Sequence, residues 1–157
     1  MKVWRICKQR HAASAFSGEG ARLFSGRWNS AGVPMVYTSE SLSLAVVETF
    51  VHLDTAEAPD DLVSIAAELP VDGAGTHDEE LLQSLKLPDD WRRLGRLALQ
   101  KMGDEWIRSQ RSLTMRVPSA VIDGEWNVLV NPEHRDAAKI REVEKKAFRF
   151  DARMFKR

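Results

Sequence analysis

The sequence predicts an α/β (α+β) fold: one domain over 1–157, a mixed or largely antiparallel sheet, and flanking helices. Three observations carry this. Segments with strand patterning outnumber segments with helical periodicity. Asp123-Gly124 joins two apolar runs as a hairpin turn pair. Strands and helices do not alternate regularly enough for a doubly wound parallel sheet. The chain has 157 residues and shows no internal repeat, low-complexity tract or linker-like shift in composition, so no domain boundary is placed.

Val3, Trp4, Ile6 and Cys7 form a strand-like opening interrupted by Arg5. Ser14 to Gly32 turns small and polar, with Gly18, Gly20, Gly26 and Gly32 as punctuation, and reads as loop. Met35 to Thr38 reads as a strand, after which Ser39 or Ser41 can cap a helix. That helix spans about Leu42 to Leu53 by periodicity, and apolar residues cover so much of its circumference that enclosure by protein is expected. Ser41, Glu48 and His52 share its narrow polar stripe, and a carboxylate on a mostly apolar helix calls for a reason.

Leu62 to Leu69 reads as a strand and Asp78 to Leu85 as a short helix. Pro88-Asp89-Asp90 opens a longer helix, with Trp91, Leu94, Ala98, Met102 and Trp106 on its core face and Arg92, Arg93, Arg96 and Lys101 on its wet face. Leu113 to Val121 and Glu125 to Val130 read as the hairpin strands, the second stopped by Asn131-Pro132. Lys139 to Phe150 fits helix or strand, and the alternation in Phe148-Arg149-Phe150 favours strand.

Composition narrows the function classes. Apolar residues make up 43% and charged residues 29%, and the 23 basic residues balance the 23 acidic ones. A surface devoted to nucleic acid would be basic. A single cysteine, Cys7, excludes an internal disulfide and a multi-cysteine metal site, and its bulky neighbours suit an inert core thiol. His11, His52, His77 and His134 include no pair at the helical zinc spacing, and His134 suits a structural loop role. No metal is expected. No apolar run approaches the roughly 20 residues of a membrane span, and the first residues lack the pattern of a signal peptide. A cytoplasmic protein that does not engage membrane is therefore expected. There is no Gly-x-Gly-x-x-Gly, no phosphate-binding P-loop and no Gly-x-Ser-x-Gly elbow.

What remains is an ordered set of pieces: Gly26-Arg27-Trp28-Asn29, Tyr37-Thr38, Leu44-Ala45-Val46-Val47-Glu48, Val117-Pro118-Ser119-Ala120-Val121, Asn131-Pro132-Glu133-His134 and Phe150-Asp151-Ala152-Arg153. In kind and order they resemble the RES-domain family, toxins of bacterial toxin–antitoxin pairs named for an Arg, a Glu and a Ser. The pieces span nearly the whole chain. Ser25 departs from the family, which more often has a second glycine there, and 59–111 carries no recognised motif.

The resemblance implies a core similar to that of ADP-ribosyltransferases, NAD as substrate and neutralisation by an Xre-like antitoxin, with a homodimer inside that complex left open. Cleaving the nicotinamide–ribose bond leaves an oxocarbenium-like sugar, as in glycoside chemistry. Within that reaction Glu48 suits the anion beside the sugar. Arg27 suits a fork on the diphosphate. Tyr37 suits an aromatic face for nicotinamide. Ser119 suits an orienter of Arg27, the ribose or the attacking group. Arg5, if turned into the cleft, would meet phosphate. Each has a plainer alternative: Arg27 as a surface charge, Tyr37 as a core ring, Glu48 with His52 as an i, i+4 pair, and Ser119 as turn chemistry.

The acceptor stays open between water, inorganic phosphate and a protein side chain. NAD depletion by hydrolysis or phosphorolysis is the expected outcome, with ADP-ribosylation of a protein as the alternative. A reading from another class is a nucleic-acid-binding module using the basic, phenylalanine-bearing tail from Lys145 to Arg157. An edge strand guarded by Lys and Arg describes that tail better, and direct nucleic-acid binding is not expected.

Overall fold

The computed structural model describes residues 1–53, 58–70, 87, 89–93 and 97–155. The helix read at Asp78 to Leu85, together with Leu94 and Arg96, lies outside the described residues. In chain order come β1 (Lys2–Lys8), a 3-10 segment (Gln9–Ser14), α1 (Glu19–Leu23), β2 (Val36–Ser39), α2 (Leu42–Phe50) and β3 (Leu62–Glu68). Then follow α3 (Leu97–Ser109), β4 (Thr114–Pro118), β5 (Trp126–Val130), a 3-10 turn (Ala137–Lys139), β6 (Arg141–Phe148) and a last 3-10 turn (Ala152–Phe155).

The strands form one six-stranded sheet in the order β4-β5-β2-β1-β3-β6. Every pairing among the described strands is antiparallel, so the expected mixture resolves to an antiparallel sheet. β1 and β3 are in register from Lys2–Glu68 to Lys8–Leu62, whereas β1 and β2 share the single pair Trp4–Ser39. The sheet is therefore narrowest between two three-stranded halves. β3 does not alternate because Leu62 to Ala67 are all buried, as expected for an inner strand covered on both faces. Tyr37 and Ser39 lie opposite Leu129 and Asn127, so these residues share one face. α2 and α3 cover that face; Ala12 of the first 3-10 segment and Ala15 just after it pack on Val63 and Ile65 of the other.

Several boundaries differ from the sequence reading for physical reasons. Ser41 caps α2 by accepting from the Leu44 N–H at 3.1 Å, but the helix ends at Phe50, and Val51 and His52 are exposed. Only Leu44 and Ala45 are fully buried, so α2 lies on the sheet and is not enclosed as expected. Residues 14–32 are not all loop, since α1 forms within them. Residues 89–93 form turns where the longer helix was expected to begin. Trp106 is buried in the core and Met102 packs against it as read, together with Leu99, Gly103 and Ile107, but Ala98 is exposed. Trp91 joins the same core from the turn. β4 ends at Pro118, because residues 119–124 are already bending toward the tight turn, where Gly124 has φ +79°.

The C-terminal ambiguity resolves to strand. β6 is an exposed, charged edge beside β3. The phenylalanines after it have partners within the fold: Phe50 of α2 packs on Phe150 and Phe155, and Phe148 on Phe150, with centroids 5.0–5.9 Å apart.

α3 meets the rest of the fold by backbone contact. A β-carbon at Gly103 would overlap the Trp28 carbonyl oxygen and crowd the Met35 side chain. The Gly103→Ala variant should thus lose about 1–3 kcal/mol of stability, the usual cost of overpacking a closed contact. Urea unfolding checks this; an unchanged midpoint would show that α3 does not lie so close.

Candidate active site

The segment Gly26 to Val33 is built around the side chain of Asn29, which is fully buried. Its amide N–H groups serve the carbonyls of Ala21, Ser30 and Val33 at 2.7, 3.1 and 3.2 Å. Its Oδ1 accepts from the Gly26 N–H at 3.0 Å and from the Tyr37 hydroxyl at 2.7 Å. The Tyr37 oxygen in turn accepts from the Trp28 N–H at 3.1 Å. Glycine is required at 26, because a β-carbon there would overlap the Tyr37 hydroxyl. α3 clamps the same loop from outside: Gln100 Nε2 donates to the Gly26 carbonyl at 2.9 Å, and Asp104 Oδ1 accepts from the Ser30 N–H at 2.9 Å.

Arg27 projects from this held loop. Its Nη1 donates to the carbonyls of Trp91, Arg92 and Arg93 at 2.9, 2.8 and 3.1 Å. These bonds anchor one corner of the guanidinium to the turn at 89–93. Burial lowers the Arg27 pKa from its ordinary value, and the negative charge of Glu48 is near enough to oppose that shift. The plain reading of Arg27 as a free surface charge does not hold.

Glu48 sits half-buried on α2. Its Oε1 accepts from Ser119 Oγ and from Asn127 Nδ2, each at 2.6 Å. It is not simply paired with His52, which is exposed beyond the helix end. Ser119 is buried and accepts from the N–H groups of Val121 and Ile122 at 3.1 and 3.0 Å. Its own proton goes to Glu48, a partner the sequence reading did not include. The hairpin carrying Ser119 and the turn holding Arg27 are tied by the exposed ion pair of Arg92 with Asp123, at 2.6 Å.

The remaining sequence candidates are Tyr37, Arg5 and His134. The Tyr37 hydroxyl is committed to the loop, and its ring packs against the core cluster containing Trp28 and Leu129. Arg5 Nη1 donates to the Tyr37 carbonyl at 2.8 Å, across the junction where β1 and β2 barely pair, while its Nε is buried without a partner. Burial lowers the Arg5 pKa and raises that of Cys7, which is half-buried two residues along β1. His134 has the structural role expected, with Nδ1 accepting from the Asp136 N–H at 3.2 Å. Asn127, Ser39, Gln100 and Asp104 were missed. The signal for Asn127 was available: an amide between Trp126 and Val128 is unfavourable in a strand unless something bonds it. Among the described residues no cluster of His, Cys, Asp or Glu could hold a metal ion, and no helix is long and apolar enough to cross a membrane.

The RES domain family model matches residues 2–151. A "Toxin Res" of Photorhabdus laumondii is 34% identical over 99% of this chain and 98% of its own. A "Prs ADP-ribosylating toxin" of a Sphingobium species is 33% identical over 98% of this chain and 96% of its own. In the solved structures, the crystal structure of the M. tuberculosis MbcT–MbcA toxin–antitoxin complex has a chain similar in fold, with a TM-score of 0.70 and 18% identity over 98% of this chain and 86% of that one.

Tyr37 is the only tyrosine in the chain, so the loop has a direct spectroscopic reporter. Burial raises its pKa well above the ordinary value of about 10. With the folded pKa above the unfolded one, this group's stabilising contribution is present below about pH 10 and declines as pH rises beyond it. A titration of tyrosinate absorbance should show no ionisation of the folded protein near pH 10, and the Tyr37→Phe variant should lack that share of the alkaline instability. Ionisation at the ordinary pKa would contradict the buried, doubly bonded hydroxyl.

Proposed function

This chain belongs to the RES-domain family, and on that premise we propose that it is a toxin that depletes NAD by cleaving the nicotinamide–ribose bond. The observation that carries the reading is the Glu48 carboxylate, fixed through Oε1 by Ser119 and Asn127 and lying within electrostatic reach of Arg27. In the reaction the C–N bond breaks, its electron pair leaves on the nicotinamide nitrogen, and positive charge develops on the ribose. An anion already oriented beside that sugar stabilises the charge without reorganising. Arg27 supplies the opposite charge. Its Nη1 is anchored, and Nε and Nη2 have no partner among the described residues, which leaves a fork for the diphosphate.

Tyr37 serves this site by fixing the arginine loop, with its ring edge as the aromatic surface for nicotinamide, and Ser119 serves by orienting Glu48. The phosphate contact expected of Arg5 is not carried over: its register partner is Ile65, on the sheet face opposite Glu48, and its Nη1 holds the Tyr37 carbonyl. Water or inorganic phosphate completes the reaction, giving hydrolysis or phosphorolysis; none of these roles calls for a metal. A second reading has its own support: the Sphingobium relative is named for ADP-ribosylation, which shares the bond cleavage and differs in using a protein side chain as acceptor. The tail's phenylalanines pack on one another and on Phe50, which speaks against their stacking on nucleic-acid bases.

The expected setting is the cytoplasm, where the NAD pool lies, with an Xre-like antitoxin holding the activity in check. The toxin–antitoxin complex of the structural relative supports such a partner. DNA binding is assigned to the antitoxin, in keeping with this chain's balanced charge.

Release of nicotinamide from NAD by the purified protein, followed with and without phosphate, tests the reading. Glu48→Gln keeps the shape and loses the charge, so turnover should fall about 10²–10³-fold. Arg27→Lys should mainly raise KM, because a point charge does not replace a planar fork. Wild-type turnover in a folded Glu48→Gln protein would overturn the role given to this carboxylate.

A further inference from the structure

We propose that Asn127, held in turn by Ser39, is a positioning residue that immobilises Glu48 so that its Oε2 faces the reaction; the proposal rests on the reading of Glu48 given above. The two oxygens of Glu48 have unequal surroundings. Oε1 takes both donors, Ser119 Oγ and Asn127 Nδ2, each at 2.6 Å. Oε2 has no hydrogen-bond partner among the described residues. A carboxylate bonded through one oxygen by Asn127 of β5 and by Ser119 just beyond β4 has little freedom to rotate, and the other oxygen is left for a ligand.

Neither donor has an alternative. Ser119 Oγ already receives the N–H groups of Val121 and Ile122, which fill its acceptor sites and direct its single proton to Glu48. Asn127 Oδ1 accepts from Ser39 Oγ at 2.7 Å, and the two residues are register partners on β5 and β2. The amide therefore cannot flip without losing the Ser39 bond in its present sense and turning a carbonyl oxygen toward a carboxylate. The path Ser39–Asn127–Glu48 carries the rigidity of the sheet into the side chain of a helix that is itself only partly buried. This also supplies the reason for a polar pair, Ser39 and Asn127, on a sheet face that elsewhere forms an apolar core with Leu129 and Met115.

Asn127→Ala should lower kcat for nicotinamide release about 10–100-fold, the scale of a lost bond to a charged group, while KM for NAD stays within about threefold. Ser39→Ala, which frees the amide to turn, should give a smaller fall in the same direction. Asn127→Asp is nearly isosteric and guards against a simple folding defect. It places a second carboxylate against Glu48, where the other facing groups are the Ser119 hydroxyl and the Arg27 guanidinium. The acid limb of the kcat/KM profile should then move up by about a pH unit or more, a displacement that a merely structural residue would not cause. A folded Asn127→Ala protein with wild-type kcat would overturn the proposal.

An arm that needs no turnover separates the two readings. The 13C carboxyl resonance of Glu48, assigned by its loss in Glu48→Gln, should titrate at higher pH in Asn127→Asp than in the wild type. If wild-type protein releases no nicotinamide but this displacement is seen, the NAD reading fails and the Asn127 contact stands. An unmoved titration overturns the Asn127 proposal.

Discussion

The buried amide of Asn29 organises more of this molecule than any apolar contact does. A stretch punctuated by glycines has high conformational entropy and little apolar surface to set against it. Here one side chain meets that deficit by bonding Ala21, Ser30, Val33, Gly26 and Tyr37 at once. Because it is buried, each of those bonds would be costly to leave unmade, so the loop has one conformation. Gly26 and Gly103 then allow the loop to sit directly against the Tyr37 hydroxyl and the backbone face of α3. Arg27 inherits its position from this packing.

The acidic half of the site obeys a different logic. α2 contributes Glu48 from a helix with few fully buried residues, and its precision comes from the sheet, through Ser119 and Asn127. The phenylalanines of the C-terminal segment pack on Phe50, one turn of helix beyond Glu48 or less, and fasten the end of α2 that the short apolar face leaves loose. α2 packs on β1 and β2, the two strands that share only the single Trp4–Ser39 pair. There Arg5 bridges the gap by donating to the Tyr37 carbonyl.

The strands were legible because their patterns are local: β2, β3 and the β4–β5 pair lie within a few residues of the positions their apolar runs and Asp123-Gly124 indicate. In α3, Met102 and Trp106 were legible as core-facing, but the place of Leu99 rather than Ala98 was not, since it goes with the Gly103–Trp28 approach across the fold. Arg27, Tyr37, Glu48 and Ser119 were legible as an ordered set of residue types. Their partners were not. That Ser119 serves Glu48 and that Tyr37 serves Asn29 are facts of contact between distant segments, which spacing along the chain does not encode. Asn127 belongs to the same class, visible only as a polar residue in an unfavourable place.

On the proposed reading, the oriented carboxylate on α2 serves the end of the substrate that develops positive charge, and the anchored guanidinium of Arg27 serves its diphosphate. A crystal structure of the Glu48→Gln protein with NAD tests this most directly. The expected density places the nicotinamide ribose beside residue 48 and the diphosphate against Arg27. NAD bound elsewhere, or with its diphosphate remote from Arg27, would contradict it.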